Sequence, residues 1–110
     1  MAGERPTTLR IGGLDYKVRF DCDRALMEES NYGHTSPSKL EIRIDSGGSM
    51  QRQRETLLHE AIHAANFMLP PDDQADERQV KAIALGLFQA IRSSPEFWAF
   101  VGDEADDHQV

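Results

Sequence analysis

Two histidines four residues apart bracket a glutamate in the segment TLLHEAIHAA, Thr56 to Ala65, where the chain reads His59-Glu60-Ala61-Ile62-His63. On an α-helix, side chains four apart stand one above the other on the same face, so both imidazoles can grip one metal ion from the same side. Glu60, next to the first histidine, is within reach of a water on that ion and can serve as its general base. The chemistry this pattern serves is hydrolysis of a peptide bond by zinc-activated water. A catalytic zinc normally has three protein ligands and one open position. The extended motif that supplies a third histidine would need Gly at 66 and His at 69, and the chain has Asn66 and Leu69.

The third ligand must therefore come from another element. Glu77, Asp76 and Asp73 stand at the start of the next amphipathic segment. Glu77 lies three residues before Val80 and seven before Ala84, extending that segment's apolar stripe. Its longer side chain spans a helix–helix gap more easily, so Glu77 ranks ahead of Asp76 and Asp73. The plainer reading of all three is a set of carboxylates favoured by a helix N-terminus. His34 is the non-helical rival as a ligand, and otherwise an exposed loop or edge-strand residue or a donor near the substrate. Tyr32 and His34 are the candidates for stabilising an oxyanion, since both belong to the expected edge strand.

These residues need a scaffold. Leu9-Arg10-Ile11, Gly12-Gly13 and Leu14 to Phe20 read as a β-hairpin, with Leu14, Tyr16, Val18 and Phe20 facing inward. Asp21 to Ser30 is a short helix or an irregular crossing. Tyr32 to Thr35 is a short edge strand beside Leu40 to Asp45, whose Leu40, Ile42 and Ile44 face the core. Ser49 is the expected N-cap of a motif helix running from Met50 to about Met68. Its expected core stripe is Arg54, Leu57, Leu58, Ala61, Ile62, Ala65, Met68 and Leu69, with the histidines just beside it and Gln51, Arg52, Gln53 and Glu55 exposed. Pro70-Pro71 ends it. A second helix, capped by Asp72 or Asp73, carries the stripe Val80, Ile83, Ala84, Leu87, Phe88 and Ile91. Gly86 implies close approach to the motif helix. A short third helix, Pro95 to Val101, brings Phe97, Trp98, Phe100 and Val101 over the core.

The sum is an α+β fold: a small, twisted, mostly antiparallel sheet packed on the motif helix and a second long helix. Residues 1–101 form one domain and residues 102–110 an acidic, disordered tail. Composition agrees, since 110 residues with 39% hydrophobic and 28% charged content suit one small globular domain. A net charge of −7 argues against nucleic acid as a partner. The single Cys22 excludes an internal disulfide framework and a cysteine-rich zinc site. With no apolar run long enough to span a membrane and no signal-peptide pattern, the expected location is the cytoplasm.

The segments TLLHEAIHAA and DERQVKAIALGLFQAIRSSPEF, with the strand LEIRID, resemble the small H-E-x-x-H proteins encoded by phages and prophages. These are related to the ImmA/IrrE-type and minimal gluzincin-like zinc metallopeptidases. The resemblance spans roughly Tyr32 to Phe97. It implies a zincin-like fold, zinc held by His59, His63 and the acidic residue before Arg78, which is Glu77, and Glu60 as base in a host cytoplasm. Two departures stand out: about 14 residues separate His63 from Glu77, short for a gluzincin, and the helix-turn-helix modules of longer relatives are absent. The leading expectation is a zinc peptidase acting on a peptide or protein substrate. The rivals are a catalytically inactive, zinc-stabilised binding module and an interaction protein that uses its acidic tail.

Overall fold

The computed structural model describes residues 4–21 and 32–104. The crossing expected to follow Asp21, from Cys22 to Ser30, and the end of the acidic tail lie outside the described residues. Four strands, β1 (Thr8–Ile11), β2 (Leu14–Asp21), β3 (Gly33–Ser36) and β4 (Glu41–Asp45), form one mixed sheet in the order β1-β2-β4-β3. The helices are α1 (Met50–Asn66), α2 (Glu77–Ser93) and α3 (Pro95–Val101), with a 3-10 turn at Pro71–Asp73 between the first two. This is the α+β arrangement that the alternation of the strands and the periodicity of the helices call for.

The β1–β2 hairpin closes through Gly12 and Gly13 at φ +59° and +82°, the positive values of a two-residue primed turn. The turn sets Ile11 opposite Leu14 and Leu9 opposite Tyr16. Leu14, expected to face inward, is exposed beside the turn. At the centre, β2 and β4 run parallel, with Val18 beside Ile42 and Phe20 beside Ile44. β3 closes the edge antiparallel to β4. One face of this sheet is apolar, and α1 covers it. Tyr16, Val18, Ile42, Ile44 and Ala64 make the core, with Leu9, Ile11, Phe20, Leu40 and Leu57 packed around them.

Leu40 departs from the expected strand. It lies in the turn before β4 at φ +52°, a left-handed conformation that costs a non-glycine residue about 1 kcal/mol or more. Two contacts hold it there: its side chain packs on the core, and its carbonyl accepts the Lys17 N–H at 2.9 Å.

The buried line of α1 also differs from the expected stripe. Ser49 caps the helix as expected, accepting the Arg52 N–H at 3.1 Å, but the residues turned deepest inward are Gln53, Thr56, Glu60 and Ala64. Gln53, expected to be exposed, is buried because its amide donates to the carbonyls of Ser46 (3.3 Å) and Gly48 (2.9 Å). It thereby ties the β4–α1 loop to the helix. Arg54, Ala65, Met68 and Leu69 are exposed, and the helix ends at Asn66.

α2 packs on α1 through Val80, Ala84 and Phe88, a single i, i+4 ridge. Ile83 and Leu87 of the expected stripe lie outside that ridge and are exposed, and a Cβ on Gly86 would meet no atom of the described residues within 4 Å. Nor does α3 cover the core. It leans on α2, and Phe97, Trp98, Phe100 and Val101 remain largely exposed, Phe100 at 82%. The common reason is layer number: the sheet and α1 use up each other's apolar faces, and among the described residues α2 packs on α1 and on the short α3.

Candidate metal centre

The site forms where α1 and α2 face each other. His59 and His63 project from consecutive turns of α1, and their Nε2 atoms are 3.1 Å apart. Glu77, the first residue of α2, reaches across from the other helix. Its Oε1 lies 2.7 Å from His63 Nε2 and its Oε2 lies 3.3 Å from His59 Nε2. Among the described residues this is the group of His, Asp and Glu side chains able to hold a metal ion, with all donor atoms within 4.8 Å of one another.

The donor set fits zinc. Ligand atoms about 2.0–2.1 Å from a shared ion in tetrahedral array stand roughly 3.3 Å from each other. Two of the three separations, 3.1 and 3.3 Å, are close to that figure, and 2.7 Å is the length of a charge-assisted hydrogen bond. Two imidazoles and one carboxylate are a ligand set of catalytic zinc, with room for one further ligand. His59 and His63 are about one-fifth exposed and Glu77 about two-thirds, so the group opens to solvent on the α2 side.

What brings Glu77 to this point is the link between the helices. Asn66, the last residue of α1, holds the backbone of Ala75 with both ends of its amide: Nδ2 donates to the Ala75 carbonyl and Oδ1 accepts the Ala75 N–H, each at 2.9 Å. The chain is thus pinned two residues before Glu77. Asp76 then caps α2, its Oδ1 accepting the Gln79 N–H while Gln79 Oε1 accepts the Asp76 N–H, both at 2.8 Å. Local sequence rules do not single out Asn66, and the cap expected at Asp72 or Asp73 falls instead at Asp76. The pattern Asp76-x-x-Gln79 is the signal that could have located it.

With its carboxylate engaged in the cap, Asp76 is not placed among the converging donors. Asp73 lies in the 3-10 turn and lines a separate shallow groove with Leu69, Gln79 and Ile83. We expect Asp76→Ala to lower stability by about 1 kcal/mol, the usual value of a lost cap, and to leave zinc affinity within about twofold of wild type. Thermal melts and zinc titration of that variant check both halves of the statement.

Glu60 faces a different direction from its histidine neighbours. It is only 7% exposed and lies on the sheet side of α1, where its Oε1 accepts a 2.6 Å hydrogen bond from the Thr35 hydroxyl on β3. The same hydroxyl lies 3.1 Å from the Glu60 carbonyl. Gly33 makes this approach possible. A Cβ there would stand 2.6 Å from Thr56 Cγ2, 2.9 Å from Glu60 Cγ and 3.1 Å from the Arg43 carbonyl. Gly33→Ala should therefore cost about 1–3 kcal/mol by overpacking, read as a lowered denaturation midpoint with an unchanged slope. Ala at the exposed Gly48, where the nearest atom is the flexible Arg52 chain at 3.2 Å, should cost much less.

Tyr32 lines a groove of about 360 Å³ that runs from His59 and Glu77 along the α1–α2 seam, past Arg52, Thr56, Lys81 and Ala84. The Arg52 guanidinium lies over the Tyr32 ring at 4.0 Å. His34, the other expected donor and rival ligand, does not join the site. It pairs with Arg43 in the β3–β4 register and alternates with the buried Gly33 and Thr35, so it projects from the sheet face opposite α1. From there it can neither ligate the site nor donate to a substrate bound in the groove.

In comparisons with protein-family models, curated proteins and solved structures, nothing matches this chain. Among the described residues, no helix is long and apolar enough to cross a membrane.

Proposed function

We propose that this protein is a zinc-dependent peptidase whose metal is held by His59, His63 and Glu77 and whose general base is Glu60. The observation that carries the reading is the convergence of three donors from two helices, 2.7 to 3.3 Å apart, on the helix turn that also carries Glu60. Zinc held by His59, His63 and Glu77 would supply Lewis acidity toward a scissile carbonyl and toward the attacking water. Glu60, on the same helix turn, would be the residue to accept a proton from that water and return it to the leaving amine. Thr35, by donating to Oε1, fixes the carboxylate rotamer and leaves Oε2 for the proton. The groove beside His59 seats the peptide, with Tyr32 at its rim. The expected setting is the cytoplasm, with a host cytoplasm implied if the chain is phage-encoded; neither membrane nor nucleic acid is a partner in this reading.

One observation favours a second reading, a zinc-stabilised module without turnover: the Glu60 side chain is buried against β3 and is not part of the groove wall. X-ray absorption at the zinc edge, together with cleavage of a mixed peptide library, separates the two. Three protein ligands plus one water oxygen, with cleavage, is the expected result. A fourth protein ligand and no cleavage would establish the module instead.

A further inference from the structure

The groove leading away from the His59–His63–Glu77 group is lined by two cations, Arg52 and Lys81, and among the described residues neither forms an ion pair. Lys81 is one turn beyond Glu77 on α2, about 6 Å along the axis, and Arg52 is two turns before His59 on α1, about 10 Å away. Ala84 and Leu85 form an apolar stretch of the same wall. The Arg52 guanidinium carbon lies over the Tyr32 ring, 4.0 Å from its centroid, a cation–π contact that engages none of its N–H donors in an ion pair. Of the two carboxylates lining the groove, Glu77 is turned to the histidines, which leaves Glu55 alone against the two cations. In formal charge the groove is balanced, two cations against two carboxylates, in a chain of net charge −7.

Resting on the peptidase reading of the neighbouring site, we propose that the groove selects substrates bearing a carboxylate two to three residues from the scissile bond. The span follows from the distances: about 6 to 10 Å is two to three residues of extended chain at ~3.3 Å each. A carboxylate can come from an acidic side chain or from a free C-terminus. Lys81 meets it as a point charge, and Arg52 meets it with a two-pronged hydrogen bond.

The test reads binding apart from turnover, using zinc-loaded Glu60→Gln protein of full length and isothermal titration. The probes are acetylated, amidated Ala/Gln octapeptides carrying two Glu residues three apart, the Gln-only counterpart, and that counterpart with a free C-terminus. The Glu peptide should bind about tenfold tighter than the amidated Gln peptide. Lys81→Met and Arg52→Gln should each erode that ratio, and Lys81→Glu should reverse it toward a Lys-substituted peptide. If only the free C-terminus restores tight binding, the terminal carboxylate is the source. Equal binding of all three probes, absence of binding, or a ratio that survives Arg52→Gln/Lys81→Met would overturn the proposal. Wild-type protein that cleaves nothing, beside an intact Glu/Gln ratio, would refute the peptidase reading and leave the carboxylate site standing. Cleavage without acidic preference, beside equal binding, would do the reverse.

Discussion

Glu60→Gln should retain one zinc per chain and lose peptide cleavage by a factor of about 10²–10⁴, the usual contribution of a positioned general base. The substitution is well suited to this site. Glu60 is not among the three converging donors, so the metal has no reason to leave. The position is buried, and what it requires there is an acceptor for the Thr35 hydroxyl at 2.6 Å. The side-chain carbonyl of Gln accepts the same hydrogen bond, so the packing against β3 survives. What Gln cannot do is take a proton and return it. A loss of cleavage with metal content and melting temperature intact assigns the base. Cleavage that persists would move the base to another residue, and a variant that fails to fold would point to the buried carboxylate as a structural element.

His63→Ala should have the largest effect on the molecule as a whole. His63 lies 2.7 Å from Glu77 across the α1–α2 seam, and its loss leaves His59 and Glu77 as two ligands for an ion that needs at least three. The consequence extends to stability, because α2 buries only Val80, Ala84 and Phe88. An ion held by both helices ties them together. Ligand linkage gives about 4 kcal/mol when free zinc exceeds its dissociation constant a thousandfold, which for a domain of this size corresponds to roughly 15–30 °C in Tm. Chelation should therefore lower the Tm of wild type by an amount of that order and leave His63→Ala unmoved. Equal chelator sensitivity in the two proteins would place the stabilising metal elsewhere.

Much of the scaffold could be read from local chemistry. The Gly12-Gly13 turn, the strand alternation, the Ser49 cap and the presence of two long helices all follow from rules that act within a few residues. The helix periodicity was less informative about which face is deepest. It pointed to Leu57, Leu58, Ala61 and Ile62, whereas the buried line includes Gln53, Thr56 and Glu60. Hydropathy does not register a polar side chain whose partners come from another element, such as Gln53 with two loop carbonyls or Glu60 with Thr35. The same limit hid Asn66, whose amide pins the chain ahead of Glu77. In α2 and α3 the opposite error arose. Ile83, Leu87, Phe97 and Trp98 are apolar at helical spacing and still exposed, since periodicity cannot tell how many layers are available to cover them. His34 fell to the two-residue repeat of a strand, which sets it on the face away from α1 once Thr35 faces Glu60.

Zinc titration of the chelator-stripped, full-length protein, run in parallel with Glu77→Ala, tests the central claim most directly. The account predicts a single site per chain in the wild type, with affinity falling at least about tenfold in Glu77→Ala as one of three ligands is removed. A wild-type chain that takes up no zinc, or a site whose affinity is indifferent to Glu77, would contradict it.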